Sequence, residues 1–234
     1  MSLVLRGKMA FMENTTINAL EISSGPSPDA SIIWLHGLGA DGHDFAPIVD
    51  ELQLPIAARF ILPHAPLRAI TINGGYRMPG WYDIYSTEIS AIQDAPGIRA
   101  SQALIETLIA REQQRGVAAQ RILLAGFSQG GAIALQTGLR HADRLGGILA
   151  LSTYLPLRDS FALEASAANL SIPIFMAHGH QDSVIALERA AISRDFLTSQ
   201  GYVVNWHDYA MGHSVCPDEI RDIRKFILDV LGTA

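Results

Sequence analysis

Along the chain, short apolar runs rich in β-branched residues alternate with longer stretches whose apolar positions recur every three or four residues. The runs 31–36 (SIIWLH), 59–62 (RFIL), 121–127 (RILLAGF), 147–152 (GILALS), 172–178 (IPIFMAH) and 202–209 (YVVNWHDY) predict strands. Several are apolar on both faces, as expected of strands covered by helices above and below. Residues 15–22 predict an additional edge strand. Between the runs lie amphipathic segments with recognisable ends. Pro96 opens one that carries Ile98, Ile105, Leu108 and Ile109 on one face, runs to about Arg115 and has Gly116 just beyond it. Pro217 opens the last, with Asp218 and Glu219 in its first turn, where acids complement the helix dipole. Its stripe of Ile220, Ile223, Phe226, Ile227, Val230 and Leu231 ends at Gly232.

Strands alternating with such helices predict an α/β fold with a mostly parallel, doubly wound sheet. There is no internal repeat and no linker, and the longest insertion, 153–171, is too short for a separate cap domain. Met9 and Met12 mark residues 1–11 as a leader, leaving 12–234 as one domain. In an open sheet of this kind, ligands sit beyond the carboxyl ends of the strands.

Composition narrows the function classes. Of 234 residues, 49% are apolar and 17% charged, enough to bury a full core and too few charges for a disordered chain. A net charge of −6, dispersed along the sequence, argues against a nucleic-acid binder, which needs a basic patch. With a single cysteine, Cys216, neither an intramolecular disulfide nor a cysteine-based zinc site can form. No stretch approaches the roughly 20 apolar residues of a membrane span, so a cytoplasmic location is expected.

The chemistry concentrates at predicted strand ends. Gly126-Phe127-Ser128-Gln129-Gly130 fits G-x-S-x-G, follows directly on the strand RILLAGF and opens the helix GGAIALQTGL. That strand–turn–helix context is what a nucleophile elbow requires, because a sharp turn must lift the serine hydroxyl clear of the sheet. Serine is a weak nucleophile unless a base stands within hydrogen-bond reach. Of eight histidines, His213 lies in a loop after the last strand, while His36, His178 and His180 rival it by position. In α/β-hydrolases the order is serine, acid, histidine, which favours His213; His207, the other late histidine, lies inside a strand. Asp182, in Gly179-His180-Gln181-Asp182, follows a strand end and precedes a helical stretch, so it is the expected orienting acid. The oxyanion of a tetrahedral intermediate needs preorganised N–H donors. Gln129, next after the nucleophile, supplies one backbone amide, and Leu38 in the loop His36-Gly37-Leu38-Gly39-Ala40-Asp41-Gly42 supplies the other. That loop has neither a G-K-[ST] ending nor G-x-G-x-x-G, so nucleotide binding is not expected, and no histidine pair has zinc spacing.

Five ordered segments, WLHGLGADGHDF, RMPGWYDI, LAGFSQGGAIAL, AHGHQDSVI and MGHSV, resemble the motifs of the carboxylesterase family that includes bacterial carboxylesterases and acyl-protein thioesterases. The resemblance implies an α/β-hydrolase fold without a large cap, and cofactor-free hydrolysis of carboxylic esters or thioesters through an acyl-enzyme on Ser128. It also implies the triad Ser128, Asp182 and His213, with Leu38 and Gln129 as oxyanion donors and Trp81 as a wall of the acyl site. Lysophospholipase or acyl-protein thioesterase activity is the alternative within enzymes, and a non-catalytic binding module the alternative outside them. The expected partner is a small ester or thioester, with no nucleic acid and no metal, and a homodimer is compatible with this reading. Ser183 and Ala186 stand where the family often has proline, and Thr153 where it often has glycine.

Overall fold

In the computed structural model, which describes residues 17–86, 88 and 92–232, the middle of the molecule is a seven-stranded sheet. Its strands are β1 (Ala19–Ser23), β2 (Ala30–Leu35), β3 (Ala58–Pro63), β6 (Ile122–Phe127), β7 (Gly147–Leu151), β8 (Ile174–Gly179) and β9 (Val204–Tyr209). The intervening β4 (Leu67–Ile70) and β5 (Tyr76–Pro79) form a separate antiparallel hairpin. The order across the sheet is β1-β3-β2-β6-β7-β8-β9, and every neighbouring pair is parallel except β1 with β3. The helices are α1 (Ile48–Leu52), α2 (Ala95–Gln114), α3 (Gln129–Gly138), α4 (Phe161–Glu164), α5 (Leu187–Ser199) and α6 (Pro217–Leu231). This is the α/β-hydrolase arrangement, and no cap domain is present among the described residues.

Alternation within single strands explains the two helical layers. In β2, Ile33 and Leu35 join the core beneath α2, α3 and α5, whereas Ile32 and Trp34 join the one beneath α1 and α6. All six β2 residues are buried, and each large side chain so removed from water contributes roughly 1.5–3 kcal/mol. The whole of α3 is buried, which accounts for its uncharged sequence. The Asp94 carboxylate caps α2 by accepting the Gly97 amide at 3.0 Å, and the helix begins at Ala95, one position before the expected start at Pro96.

Element boundaries differ from the sequence pattern for local reasons. Pro173 has no N–H to donate, so β8 begins at Ile174 rather than 172. The Tyr202 amide turns back to the Leu197 carbonyl at the end of α5, and β9 therefore begins at Val204. Ser152 adopts φ +46° and leaves β7 ending at Leu151. The edge strand is observed at Ala19–Ser23; residues 15 and 16 of its expected span, and the leader 1–11, lie outside the described residues. The hairpin was not foreseen, although Asn73-Gly74-Gly75, with φ +65° and +80° at the glycines, is its turn signal.

Register brings the carboxyl ends level. Leu35 pairs with Gly126, Phe127 with Leu151 and Gly179 with Tyr209, so the loops after β2, β6, β8 and β9 open on one edge.

Candidate active site

Ser128 stands between β6 and α3 at φ +55°, ψ −119°, a backbone conformation that costs about 1–3 kcal/mol for a residue with a Cβ. Two close approaches hold it there. A Cβ on Gly126 would overlap the Gly130 backbone, and one on Gly130 would overlap the Leu35 carbonyl oxygen. Only hydrogen fits at either position, which is the steric content of the G-x-S-x-G pattern.

His213 and Asp182 converge on this serine. His213 Nε2 lies 2.9 Å from Ser128 Oγ, and His213 Nδ1 lies 2.7 Å from Asp182 Oδ2. The carboxylate must accept from Nδ1–H, which leaves the Nε2 lone pair facing the serine hydroxyl. Asp182 has a fully buried side chain, yet its charge is satisfied: Oδ1 accepts the amides of Val184 at 2.9 Å and Ile185 at 2.8 Å. The histidine loop reaches the acid because residue 179 is glycine, since a Cβ there would overlap the carbonyls of Met211 and Gly212. The Gln181 amide donates to Met211 O at 3.0 Å and ties the two loops together. The Phe127 ring packs 4.7 Å from the His213 ring on the other side.

The rival histidines are engaged elsewhere. His36 is buried, donating from Nδ1 to Gly37 O at 2.7 Å and accepting the Ala65 amide on Nε2 at 3.0 Å, and burial lowers its pKa. His178 is also buried, donating from Nε2 to Ile185 O at 2.8 Å, with Asp182 Oδ2 3.3 Å away. Burial likewise lowers its pKa and keeps it neutral beside the acid. The packing of His178 against Asp182 is not legible in the sequence, where His178 reads only as a competitor. His180 is exposed and pairs with Asp208.

Of the two expected oxyanion donors, Gln129 follows the serine directly, and Leu38 follows Gly37, where a Cβ would lie 3.6 Å from Ser128 Cβ. Among the described residues, no carbonyl or side chain of the chain accepts the backbone amides of Leu38 and Gln129, although the next amides in the loop, Gly39 and Ala40, are occupied by Pro79 O and Gly37 O. Trp81 is wholly enclosed, at 0% exposure, rather than lining an open groove. Its indole N–H donates to His36 O at 2.9 Å, its backbone amide donates to Gln129 Oε1 at 2.6 Å, and its carbonyl accepts the Ser101 hydroxyl. Gln129 Nε2 completes the link by donating to Tyr82 O at 2.7 Å. The 79–82 segment thus braces the loop after β2 against the start of α3. No local pattern announces it, because these partners lie 45 to 48 residues apart.

Beyond the end of β7, a half-open cavity of about 640 Å³ carries Ile92, Leu155, Leu157 and Ile192 on its walls, beside Tyr154 and Arg189. The Arg189 guanidinium lies 3.6 Å over the Tyr154 ring. Among the described residues, one group of side chains could bring three metal-ligating atoms within 4.8 Å: Asp41, His43 and His64. His64 Nδ1 in that group already accepts the Gly42 amide at 3.1 Å, which leaves its proton on Nε2.

Residues 18–231 match the phospholipase/carboxylesterase family. Among similar proteins, acyl-protein thioesterase 1 of Neurospora crassa is 43% identical over 213 residues, covering 86% of this chain and 87% of that protein. Acyl-protein thioesterase 1 of Gibberella zeae is 38% identical over 227 residues, covering 92% and 97%. Among solved structures, Arabidopsis thaliana SOBER1 superposes with a TM-score of 0.83 at 27% identity, covering 86% of this chain and 99% of its own. Zea mays acyl-protein thioesterase 2 superposes at 0.79 and 27% identity, covering 92% and 100%.

Proposed function

The chain belongs to the phospholipase/carboxylesterase family and is a serine hydrolase of carboxylic esters or thioesters, and on that premise we propose that Ser128, His213 and Asp182 are its catalytic triad. The observation that carries this reading is the unbroken line from Asp182 Oδ2 through both His213 nitrogens to Ser128 Oγ, at 2.7 and 2.9 Å.

In this mechanism Ser128 Oγ attacks the acyl carbonyl carbon while His213 Nε2 takes the hydroxyl proton. Asp182 stabilises the imidazolium so formed without itself taking the proton. The carbonyl oxygen becomes an oxyanion between the amides of Leu38 and Gln129, in a site where the positive end of α3 adds to the field. Collapse of the intermediate breaks the bond to the leaving alkoxide or thiolate, which receives the proton from His213. A water molecule then gives a proton to Nε2, adds to the acyl-enzyme and releases the acid, and Ser128 recovers its hydrogen. Trp81 takes part only by holding the two donor-bearing segments in register.

For the substrate, we assign a thioester of an acylated protein, supported by relatives that carry the name acyl-protein thioesterase. The reading includes a single domain from residue 12 onward, a cytoplasmic location, no nucleic-acid partner in keeping with a net charge of −6, and compatibility with a homodimer. Among the described residues no helix is long and apolar enough to cross a membrane.

Fluorophosphonate labelling, combined with hydrolysis of esters and thioesters of graded acyl length, tests this. Labelling of the native protein and none of Ser128→Ala is expected, with turnover rising toward long-chain thioesters. Undiminished labelling of Ser128→Ala would overturn the triad, and a flat or short-chain profile would overturn the substrate assignment alone.

A further inference from the structure

The peptide group between Ser128 and Gln129 carries two features of the site at once. Its N–H is the proposed oxyanion donor, and its C=O is the Ser128 carbonyl. A trans peptide is planar and points these groups in opposite directions, so whatever holds the oxygen also aims the proton.

Two groups hold that oxygen. The Ala132 amide donates to it at 3.2 Å, the first hydrogen bond of the α3 helix. The Thr153 hydroxyl donates to it at 2.6 Å, from a residue 25 positions away in sequence and 1% exposed. The helical bond is the longer of the two, and the Ser128 backbone preceding this peptide is irregular, so neither strand nor helix geometry sets the tilt of the plane.

Thr153 is itself held in one orientation. It follows Ser152, whose φ of +46° turns the chain off the end of β7 alongside the serine. A Cβ at Gly131 would lie 2.7 Å from Thr153 Cγ2 and 2.9 Å from Thr153 Cβ, so the branched side chain packs into space left by that glycine. A β-branched residue clamped in this way has little rotamer freedom, and its methyl group directs its hydroxyl at the Ser128 oxygen. A hydrogen bond accepted by a peptide carbonyl also polarises the amide and strengthens its N–H as a donor.

We propose that Thr153 is a positioning residue for the oxyanion hole: its hydroxyl fixes the tilt of the Ser128–Gln129 peptide so that the Gln129 N–H meets the charge developing on the substrate. The inference rests on Ser128 being the nucleophile and Gln129 an oxyanion donor. Thr153 touches no reacting atom. Its effect belongs to the transition state, because a ground-state carbonyl carries little of the charge that the amide is aimed to stabilise.

The test compares Thr153→Val, which keeps the shape and removes the donor, with Thr153→Ser, which keeps the donor and removes the methyl. Loss of an entire oxyanion donor costs about 10²–10³ in kcat, and misaiming one should cost roughly tenfold. Thr153→Val is therefore expected to lower kcat by roughly tenfold at unchanged KM. It should weaken a trifluoromethyl ketone, which forms a tetrahedral adduct on the serine, by the same factor as kcat/KM. Thr153→Ser should restore both to within about threefold. Thr153→Val with native kcat and native affinity for the ketone would overturn the proposal. Equal losses in the Val and Ser variants would also overturn it, because they would assign Thr153 to packing alone. Ser128→Ala, run alongside, separates this inference from its premise. If Ser128→Ala retains turnover, the triad reading falls and the positioning role with it. If Ser128→Ala is inactive while Thr153→Val is silent, the positioning role falls alone.

Discussion

Two aspartate–histidine pairs stand at the same edge of the sheet, and both close at 2.7 Å: Asp182 with His213, and Asp208 with His180. Their surroundings differ. The first pair has side chains 0% and 16% exposed, its second carboxylate oxygen is held by two backbone amides, and the far nitrogen of its histidine faces a serine. The second has side chains 44% and 50% exposed, and among the described residues Asp208 has only the Trp206 indole at 3.1 Å as a further hydrogen-bond donor. The hydrogen bond from His180 holds the Asp208 carboxyl below its ordinary range, but water competes for every atom involved. A short contact is therefore not what distinguishes a triad. The difference lies in exclusion of water, saturation of the carboxylate by fixed donors, and a third group in line.

The largest effects should separate the two histidines. Ser128→Ala and His213→Ala should each lower kcat by about 10⁵–10⁶, with the double variant little worse, whereas His180→Ala should stay within about twofold. Single-turnover hydrolysis of an activated ester measures this, and a folded His213→Ala enzyme that still acylates normally would break the comparison. The aspartates should differ by nearly as much. Asp182→Asn is expected to cost about 10⁴ in kcat, since the histidine loses the acceptor that sets its tautomer, while Asp208→Asn leaves kcat within about twofold.

A third carboxylate sharpens the contrast by having burial with little to offset it. Glu219, in the first turn of α6, is 0% exposed, and among the described residues neither of its oxygens closes a well-formed hydrogen bond, although the Cys216 amide partly offsets the burial of its charge. Burial, reinforced by the Asp222 charge, pushes its carboxyl up from 4.5 to about 8. The folded state thus binds a proton that the unfolded state releases near 4.5. The stability contributed by neutral Glu219 is complete below that pH and lost as pH rises through about 8. The loss is on the order of a few kcal/mol. Glu219→Gln should therefore flatten the fall of Tm between pH 5 and about 8. Calorimetry at several pH values gives the slope directly, and parallel curves for the two proteins would refute the assignment. The smallest effect belongs to the surface pair, where replacing His180 or Asp208 should change stability by about 0–1 kcal/mol in a urea titration. A larger loss would mean that exposure is a poor guide to what such pairs contribute.

Much of the site is legible in the sequence because its constraints are local or ordered. The glycines at 126 and 130 record backbone approaches that admit no side chain, and the serine–acid–histidine order follows from successive strand ends. The six main strands were visible from apolar runs bounded by turns. The hairpin 67–79 was not, because its strands have only four residues each and β5 shows no inside–outside alternation. The bracing by Trp81 and the Gln129 side chain was also hidden, as were His178 behind Asp182 and Thr153 behind Ser128. The Trp81, Gln129 and Thr153 bonds join segments that meet only after the sheet has formed, and the place of His178 depends on the turn that folds Asp182 back over it, so neither spacing nor composition reports these meetings.

The path from Ser128 to His213 spans 85 residues of chain. At roughly 5–20 residues per second, synthesis takes roughly 4–17 s to cover that distance. During that interval a growing chain can complete β6 and raise its serine on the elbow, and Asp182 is added partway through, but the proposed base comes only at the end. The nascent chain is chemically mute toward acyl groups until its last strand joins the edge of the sheet. On the proposed triad, competence then arrives in one step, with the docking of β9 and the loop that follows it, and a truncated product ending before residue 213 is expected to be inert.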